Sequence, residues 1–514
     1  MMRKVCGVIL AVAILVGLVS CGSTNQGETL DENNAGAKKT ELVIAIPKDI
    51  NGFDPNDPGN TLTAAVHGNM YEWILRRDSD DNIVAGLADS WEQVDETTWR
   101  FHLREGITFH SGNPLTAEDV KFSLMRIQEE RFPQRSNYIQ IKEVRVIDEY
   151  NFEIITDGPD PILLNRISRL GGSIFDSKLY EELGEEAFLQ QVSGTGPYKL
   201  DSWVKDSEIV LIKNEDYYGE TPKWEKVTFR VIPETSTRIA ELLTGGVDIA
   251  LDLSSTDVER VNANEGTHIE SFTTKRVIYW VVRTSTKGLD DIKVRQAIDY
   301  AINDQLLLDT LYGGSGKVTQ TIVAEGVFGS DPDLIGTYRY DPEMAKTLLA
   351  EAGPEGLSFE LASGNGQYAK DKELTELVAT MLVEAGFDPQ VNIMDTSRFT
   401  ELKNAREFYG LRMNGYSSSM SDAGTDLVPL TQENPVQLTD WHNERFNELY
   451  EETQATMDDA SRQTMFEEMQ QLIVDELPLI PMFQMPGFYG VSDELSYTPR
   501  ADEYLYVDEI TLID

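Results

Sequence analysis

The chain has 514 residues, with 88 Asp and Glu against 44 Lys and Arg, a formal net charge of -44 and only two cysteines. Acidity of that degree repels phosphate backbones and anionic headgroups, which excludes nucleic-acid binding and reads as solubility outside the cell. The composition is 40% hydrophobic and 9% aromatic, ample for a packed interior, and the length calls for two or three substructures rather than one core.

Met1-Met2-Arg3-Lys4 is followed by an apolar run from Val5 to Val19 and then by small residues around Cys21. Basic head, short hydrophobic stretch and small-residue end make a secretory signal peptide, residues 1–20. The run has 15 residues, whereas a spanning helix needs about 20. Cys6 would leave with the signal, so Cys21 would be the single remaining thiol, which excludes an intrachain disulfide or a cysteine metal cluster. Cleavage there leaves 42 Lys and Arg against 88 acids, a net charge of -46. The stretch Leu18-Val19-Ser20-Cys21 resembles the bacterial lipobox, which implies that Cys21 is diacylated and becomes the first residue. Residues 22–40 are polar and rich in Gly, Asn and Thr and read as a flexible tether, with a root-mean-square reach of roughly 25 Å.

The folded body begins at Glu41 with ELVIAIP, a β-branched run ended by Pro47 and so a buried strand. Further strands are expected at WRFHL, NFEIIT, IVLIK, VTFRVI and VIYWVVRT, separated by stretches of helical spacing, and the pattern is mixed α/β. In PLTAEDVKFSLMRI, Thr116 caps a helix with Asp119 three residues on. In GLDDIKVRQAIDYAINDQLLLDTLYGG, apolar Ile292, Ala297, Ile298, Ala301 and Ile302 predict one helix that ends at the Gly313-Gly314 pair. The C-terminal LPLIPMFQMPGFYGVS is a buried crossing segment that returns the chain to a domain begun earlier.

Little in the sequence points to catalysis. His67, His102, His110, His268 and His442 lie far apart and form no metal-ligand spacing. GGSGKVT at 313–319 departs from a phosphate loop, because Lys317 is followed by Val318. There is no G-x-S-x-G elbow, and carboxylate pairs are too common here to single one out. No cofactor and no resident metal are expected.

Residues 86–126, GLADSWEQVDETTWRFHLREGITFHSGNPLTAEDVKFSLMR, closely resemble the family 5 extracellular solute-binding proteins, the oligopeptide, dipeptide and nickel group serving ABC importers. GTGPYKLDSW, STRIAELLTGGVDIA, DIKVRQAIDYAIN, YDPEMAKTLLAEAG and LPLIPMF fit the same family, so the resemblance runs from about residue 41 to the end. It implies a two-lobed α/β fold of the periplasmic-binding-protein type that closes on a hinge. Lobe I would comprise residues 41–275 plus 485–514, with an extra subdomain at about 68–190, and lobe II residues 276–484.

The resemblance also implies where ligand is met. In peptide-binding members a segment of form G-W-x-x-D supplies an aromatic pocket wall and an aspartate for the ligand's amino group. The matching stretch here is GYSSSMSDAGTD, with Tyr416 for the tryptophan, Ser419 where that aspartate belongs, and Asp422 and Asp426 beyond it. Either one of those aspartates reaches the site by a shifted loop, or a free α-amine is not held in the usual way. Met413, Asn414, Tyr416 and Ser417 are expected on the contact edge of lobe II, with Tyr416 stacking on the ligand. Lys372, with Lys370 beside it, matches a cation that meets a ligand carboxylate in dipeptide-binding members, although both also read as solvated lysines at a helix start. Ile50, Asn51 and Phe53 follow the first strand and are expected against the ligand backbone, with local packing an equal reading for Phe53. The expected function is a monomeric, lipid-anchored receptor on the outer face of the bacterial cytoplasmic membrane. It would pass a peptide or peptide-like solute to ABC permease subunits without catalysis. Receptors for a metal chelate, haem, an opine or an oligosaccharide are the alternatives, with an exported hydrolase behind them.

Overall fold

The computed structural model describes residues 39–169, 171–352, 357–432 and 438–513. The expected signal peptide, Cys21 and almost all of the expected tether lie outside these residues, and the described chain forms one compact unit from Thr40. No helix among the described residues is long and apolar enough to cross a membrane.

An 11-stranded mixed sheet runs through the whole body. At one end Glu41–Ile46 pairs in parallel with Lys226–Val231 and Ile249–Ala250, and the meander of Glu208–Lys213 and Tyr198–Val204 completes that edge. At the other end Ser358–Asn365 lies parallel to Asp388–Asp395 and Gly410–Ser417. The two ends are joined by Thr267–Val282 and Leu479–Ser492, antiparallel partners of 16 and 14 residues that belong to both. The strand expected at VIYWVVRT therefore starts ten residues earlier, at Thr267. The proline-studded C-terminal segment is its partner: Pro481 and Pro486 are accommodated where the sheet changes register.

Packing divides along the same line. Ile278, Trp280, Leu361, Leu411, Met413 and Met482 share one core with the helices Ile292–Ala301 and Asp371–Glu384. Leu42, Ile44, Phe229, Ile249 and Val491 share another with the C-terminal Leu505 and Ile510. A third core, around Phe101, Phe109, Leu124 and Phe152, fills a separate four-stranded antiparallel sheet and its covering helix Ala117–Arg126. Thr116 and Asp119 close the expected capping box on that helix.

The helix expected from Ile292 to the glycine pair is instead two, Ile292–Ala301 and Asp304–Tyr312. Ile302 takes an extended backbone, and the Asn303 side chain accepts from the Leu306 N–H as the cap of a new first turn. Local capping by Asn outcompetes the continuous apolar periodicity. Gly313 ends the second helix in the left-handed conformation.

Between Thr273 and Val277 the two long strands lose register. Here the Thr274 hydroxyl donates to the Met485 carbonyl (2.9 Å) and Gln484 Nε2 donates to the Thr274 carbonyl (3.0 Å). Side-chain bonds replace ladder bonds at the place where both strands pass from one half to the other, a local break that allows bending without unpairing either half.

Candidate functional site

A cleft of about 1280 Å³ lies where the two halves meet. Its floor is the pair of crossing strands, through Phe272, Thr274 and Arg276 on one and Met485 to Tyr489 on the other. Gly487 belongs there for a steric reason: a Cβ would stand 2.4 Å from the Phe272 ring. One wall comes from the first half, with Lys48, Asn60 to Leu62, Leu251 to Ser255 and Glu503, and the facing wall from the second half.

Strand Gly410–Ser417 shapes the facing wall through its two-residue period. Arg412, Asn414 and Tyr416 line the cleft, whereas Leu411 and Met413 alternate into the core behind. Asn414 Nδ2 donates to the Tyr279 hydroxyl (2.6 Å), which fixes its amide. Gly415 lets Tyr368 lie across the strand, where the Tyr368 hydroxyl donates to the Gly415 carbonyl (3.0 Å) and accepts from its N–H (2.8 Å). A Cβ at Gly415 would meet the Tyr368 ring at 2.8 Å.

Arg412 is the distinctive group. It is 9% exposed, Nη2 donates to the Leu438 carbonyl (3.0 Å) and Nη1 has no partner among the described residues. No carboxylate among the described residues pairs with it, and burial lowers its pKa to about 10. Lys403, also on the lining, is pushed down by burial and then by Arg412 itself. Two neighbouring cations without a counterion, one of them desolvated, form a site for an anion.

Of the residues singled out in the sequence, Lys370, Asn414 and Tyr416 line this cleft together. Lys370 holds a left-handed backbone just before helix Asp371–Glu384, whereas Lys372 is half-exposed and faces Glu376 at 4.0 Å. Burial raises the Tyr416 phenol, beside which Ser419 sits. Ser417 and Ser419 are half-buried and, like Met413, are not on the lining.

Ile50 and Phe53 are buried in the first half's core, where Phe53 meets the edge of Trp203 with ring centres 5.2 Å apart. Asn51 is held through its N–H to the Thr63 hydroxyl. Asp422 points away from the cleft, paired with buried Arg462 at 2.9 Å and capping the turn at Gly424. Asp426 is 2% exposed, and its carboxyl is driven far up by burial, with Asp422 adding to the rise.

Sequence reading missed Arg412 itself, although its alternation with Asn414 and Tyr416 was there to be used. It also missed Asp252 and Glu503, which come from unrelated segments and meet only in the fold. The described residues contain no cluster of ligating side chains able to hold a metal ion.

Comparison with known proteins agrees with the architecture. The glutathione-binding protein GsiB of Escherichia coli (strain K12) is 27% identical over 457 residues, 86% of this chain and 88% of that protein. The ABC transporter substrate-binding protein CtaP of Listeria monocytogenes has a TM-score of 0.85 at 22% identity, over 93% of this chain and 100% of the other. The dipeptide-binding protein of Pseudoalteromonas sp. SM9913, solved with Met-Leu, has a TM-score of 0.77 at 21% identity, over 92% and 100%. These likenesses establish the two-lobed fold. The family model of the bacterial extracellular solute-binding proteins, family 5 Middle, matches residues 82–437, well over half of the sequence, and the chain belongs to that family.

Proposed function

We propose that this chain is a lipid-anchored receptor, held through Cys21, that captures a peptide-like solute by a carboxylate and presents it to an ABC importer. The observation that carries this reading is Arg412: a desolvated guanidinium on the cleft wall, with a nitrogen unpartnered and no carboxylate paired with it among the described residues. Truncating one partner of a buried charge pair typically costs 2–5 kcal/mol, about the gain open to a ligand that completes one.

The balance of the lining supports a solute with more carboxylates than amines. Six cations (Lys48, Arg276, Lys370, Lys403, Arg406 and Arg412) face four anions (Asp252, Asp371, Glu373 and Glu503), in a chain that is otherwise strongly acidic. The named ligand of the GsiB relative, glutathione, is a peptide-like molecule with two carboxylates and one amine, and it is the first compound to try.

In this reading Tyr416 stacks on the ligand, Asn414 and Lys370 touch it, and lobes 41–275 plus 485–514 and 276–484 close by bending at Thr274–Arg276 and at Met485–Pro486. Ligand that touches both walls favours the closed state by its differential affinity, and the permease reads the closed shape. Binding proceeds without turnover.

The test is native mass spectrometry of protein purified without refolding. The retained species is expected to be a small peptide-like acid. A retained metal chelate, haem or neutral sugar overturns the reading.

A further inference from the structure

Charge is sorted across the cleft as well as unbalanced in it. The loop that would carry the family's amine-binding aspartate presents no carboxylate to the lining, since Ser419 stands there, Asp422 is taken by Arg462 and Asp426 is buried. Among the acids that do line the cleft, Asp371 is saturated by four backbone N–H groups, those of Gly366, Gln367, Tyr368 and Lys372, at 2.8–3.2 Å. Glu373 lies on the exposed first turn of the helix that Asp371 begins.

The remaining two acids, Asp252 and Glu503, belong to the opposite wall. Both hold left-handed backbones, with φ of 52° and 63°, a conformation uncommon for residues other than glycine. Glu503 pairs with Arg276 at 3.2 Å. Asp252 is open to the cleft and makes no ion pair among the described residues. Its neighbouring charges are Arg238, Lys48 and Arg276, and Arg238 is committed to the backbone carbonyls of Leu251 and Asp252 rather than to the carboxylate. Burial raises both carboxyls, and the Asp252 charge raises Glu503 further. An added cation relieves that repulsion. Facing them is Arg412, 9% exposed and with its Nη1 unpartnered among the described residues, which points independently to a charged ligand in the same space.

We propose that the ligand's ammonium group is held by Asp252, with Glu503 beside it, while its carboxylate lies on Arg412 and Lys403. This rests on the peptide-like reading above and moves the amine site to the opposite lobe from Ser419. The two ends of a zwitterionic ligand then bridge the two halves, so both are satisfied only when the cleft is closed. The cation surplus leaves room for one more carboxylate.

The test titrates the mature chain with glutathione and a di- to tetrapeptide library, each in free, N-acetylated and C-amidated form, on wild type, Asp252→Asn and Glu503→Gln. In wild type, N-acetylation of the best binder is expected to weaken binding about tenfold or more, and in Asp252→Asn less than about threefold. If acetylation costs nothing in wild type, or costs as much in Asp252→Asn as in wild type, the amine site is not there. Acid preferred over amide with no acetylation effect sinks this assignment alone, whereas acid and amide binding alike sinks the carboxylate reading beneath it. The wild-type arm needs no variant, and melting curves of the variants identify any that fail to fold.

Discussion

Arg412 and Met413 are adjacent in sequence and opposite in consequence. A strand turns successive side chains to opposite faces, so Met413 is 1% exposed in the core while Arg412 lines the cleft. Arg412→Gln keeps much of the shape and removes the charge. It is expected to weaken the best acidic ligand by about thirtyfold or more, equivalent to about 2 kcal/mol, in titration calorimetry, with little change in melting temperature. Asp422 is expected to behave in the reverse way. Its pair with Arg462 is buried on both sides, and the guanidinium also lies over the Phe328 and Phe466 rings at 5.0 and 5.1 Å. Asp422→Asn should therefore cost about 3–5 kcal/mol of stability in denaturant titration and leave ligand affinity within about twofold. Lost binding at unchanged stability would make Asp422 a ligand group instead.

Asp299 offers a test by pH. Burial lifts its pKa to about 7 despite Arg339 at 3.5 Å, and it faces the still more strongly raised Asp304. The folded protein keeps a proton there that the unfolded chain releases near pH 4, so this group's contribution is full at low pH and is lost as pH rises to about 7. Asp299→Asn is expected to show a smaller fall in melting temperature between pH 5 and 8 than wild type. Equal slopes would contradict the assignment.

Elements carried by a single periodicity were readable in the sequence, and those set by competition were not. ELVIAIP, WRFHL, NFEIIT and the Thr116 capping box all appear where pattern and cap agree. The helix after Ile292 breaks at Ile302 because the Asn303 cap acts within one turn, whereas the apolar spacing continues past it. Arg412 was readable from strand alternation alone. Asp252 and Glu503 were not, because nothing local brings two distant acidic turns to one wall. The part played by Gly415 is visible only in the fold, in the Tyr368 ring packed against it. Gly415→Ala should displace that ring, lower affinity for the best ligand about tenfold and cost about 1–3 kcal/mol of stability, the usual range for overpacking. An unchanged affinity would show that Tyr368 does not shape the site.

Across the whole molecule, polar contacts as well as the crossing strands join the two halves. Asn165 Nδ2, in the first half, donates to the Met420 carbonyl of the second (2.7 Å). Close to it, Asp81 accepts from both Arg169 and Lys275, while Arg169 and Lys275 each donate to the Ser421 hydroxyl (3.0 and 3.1 Å). Asn165→Ala removes one net hydrogen bond, about 1 kcal/mol, from the closed arrangement alone, and should raise the ligand dissociation constant about fivefold by shifting the population towards open. An unchanged constant would mean that this contact does not report on closure. The wider contrast is between a body of strongly negative charge and a cleft wall with cations to spare. In the proposed function this contrast is what selects the ligand by its acidity.

The most direct measurement is a paired calorimetric titration of wild type and Arg412→Gln with the best-binding peptide as free acid and as C-terminal amide. The account predicts that the acid binds wild type at least about thirtyfold more tightly than the amide, and that the preference largely disappears in Arg412→Gln. Equal affinity of wild type for acid and amide, or an acid preference that persists in the variant, would contradict it.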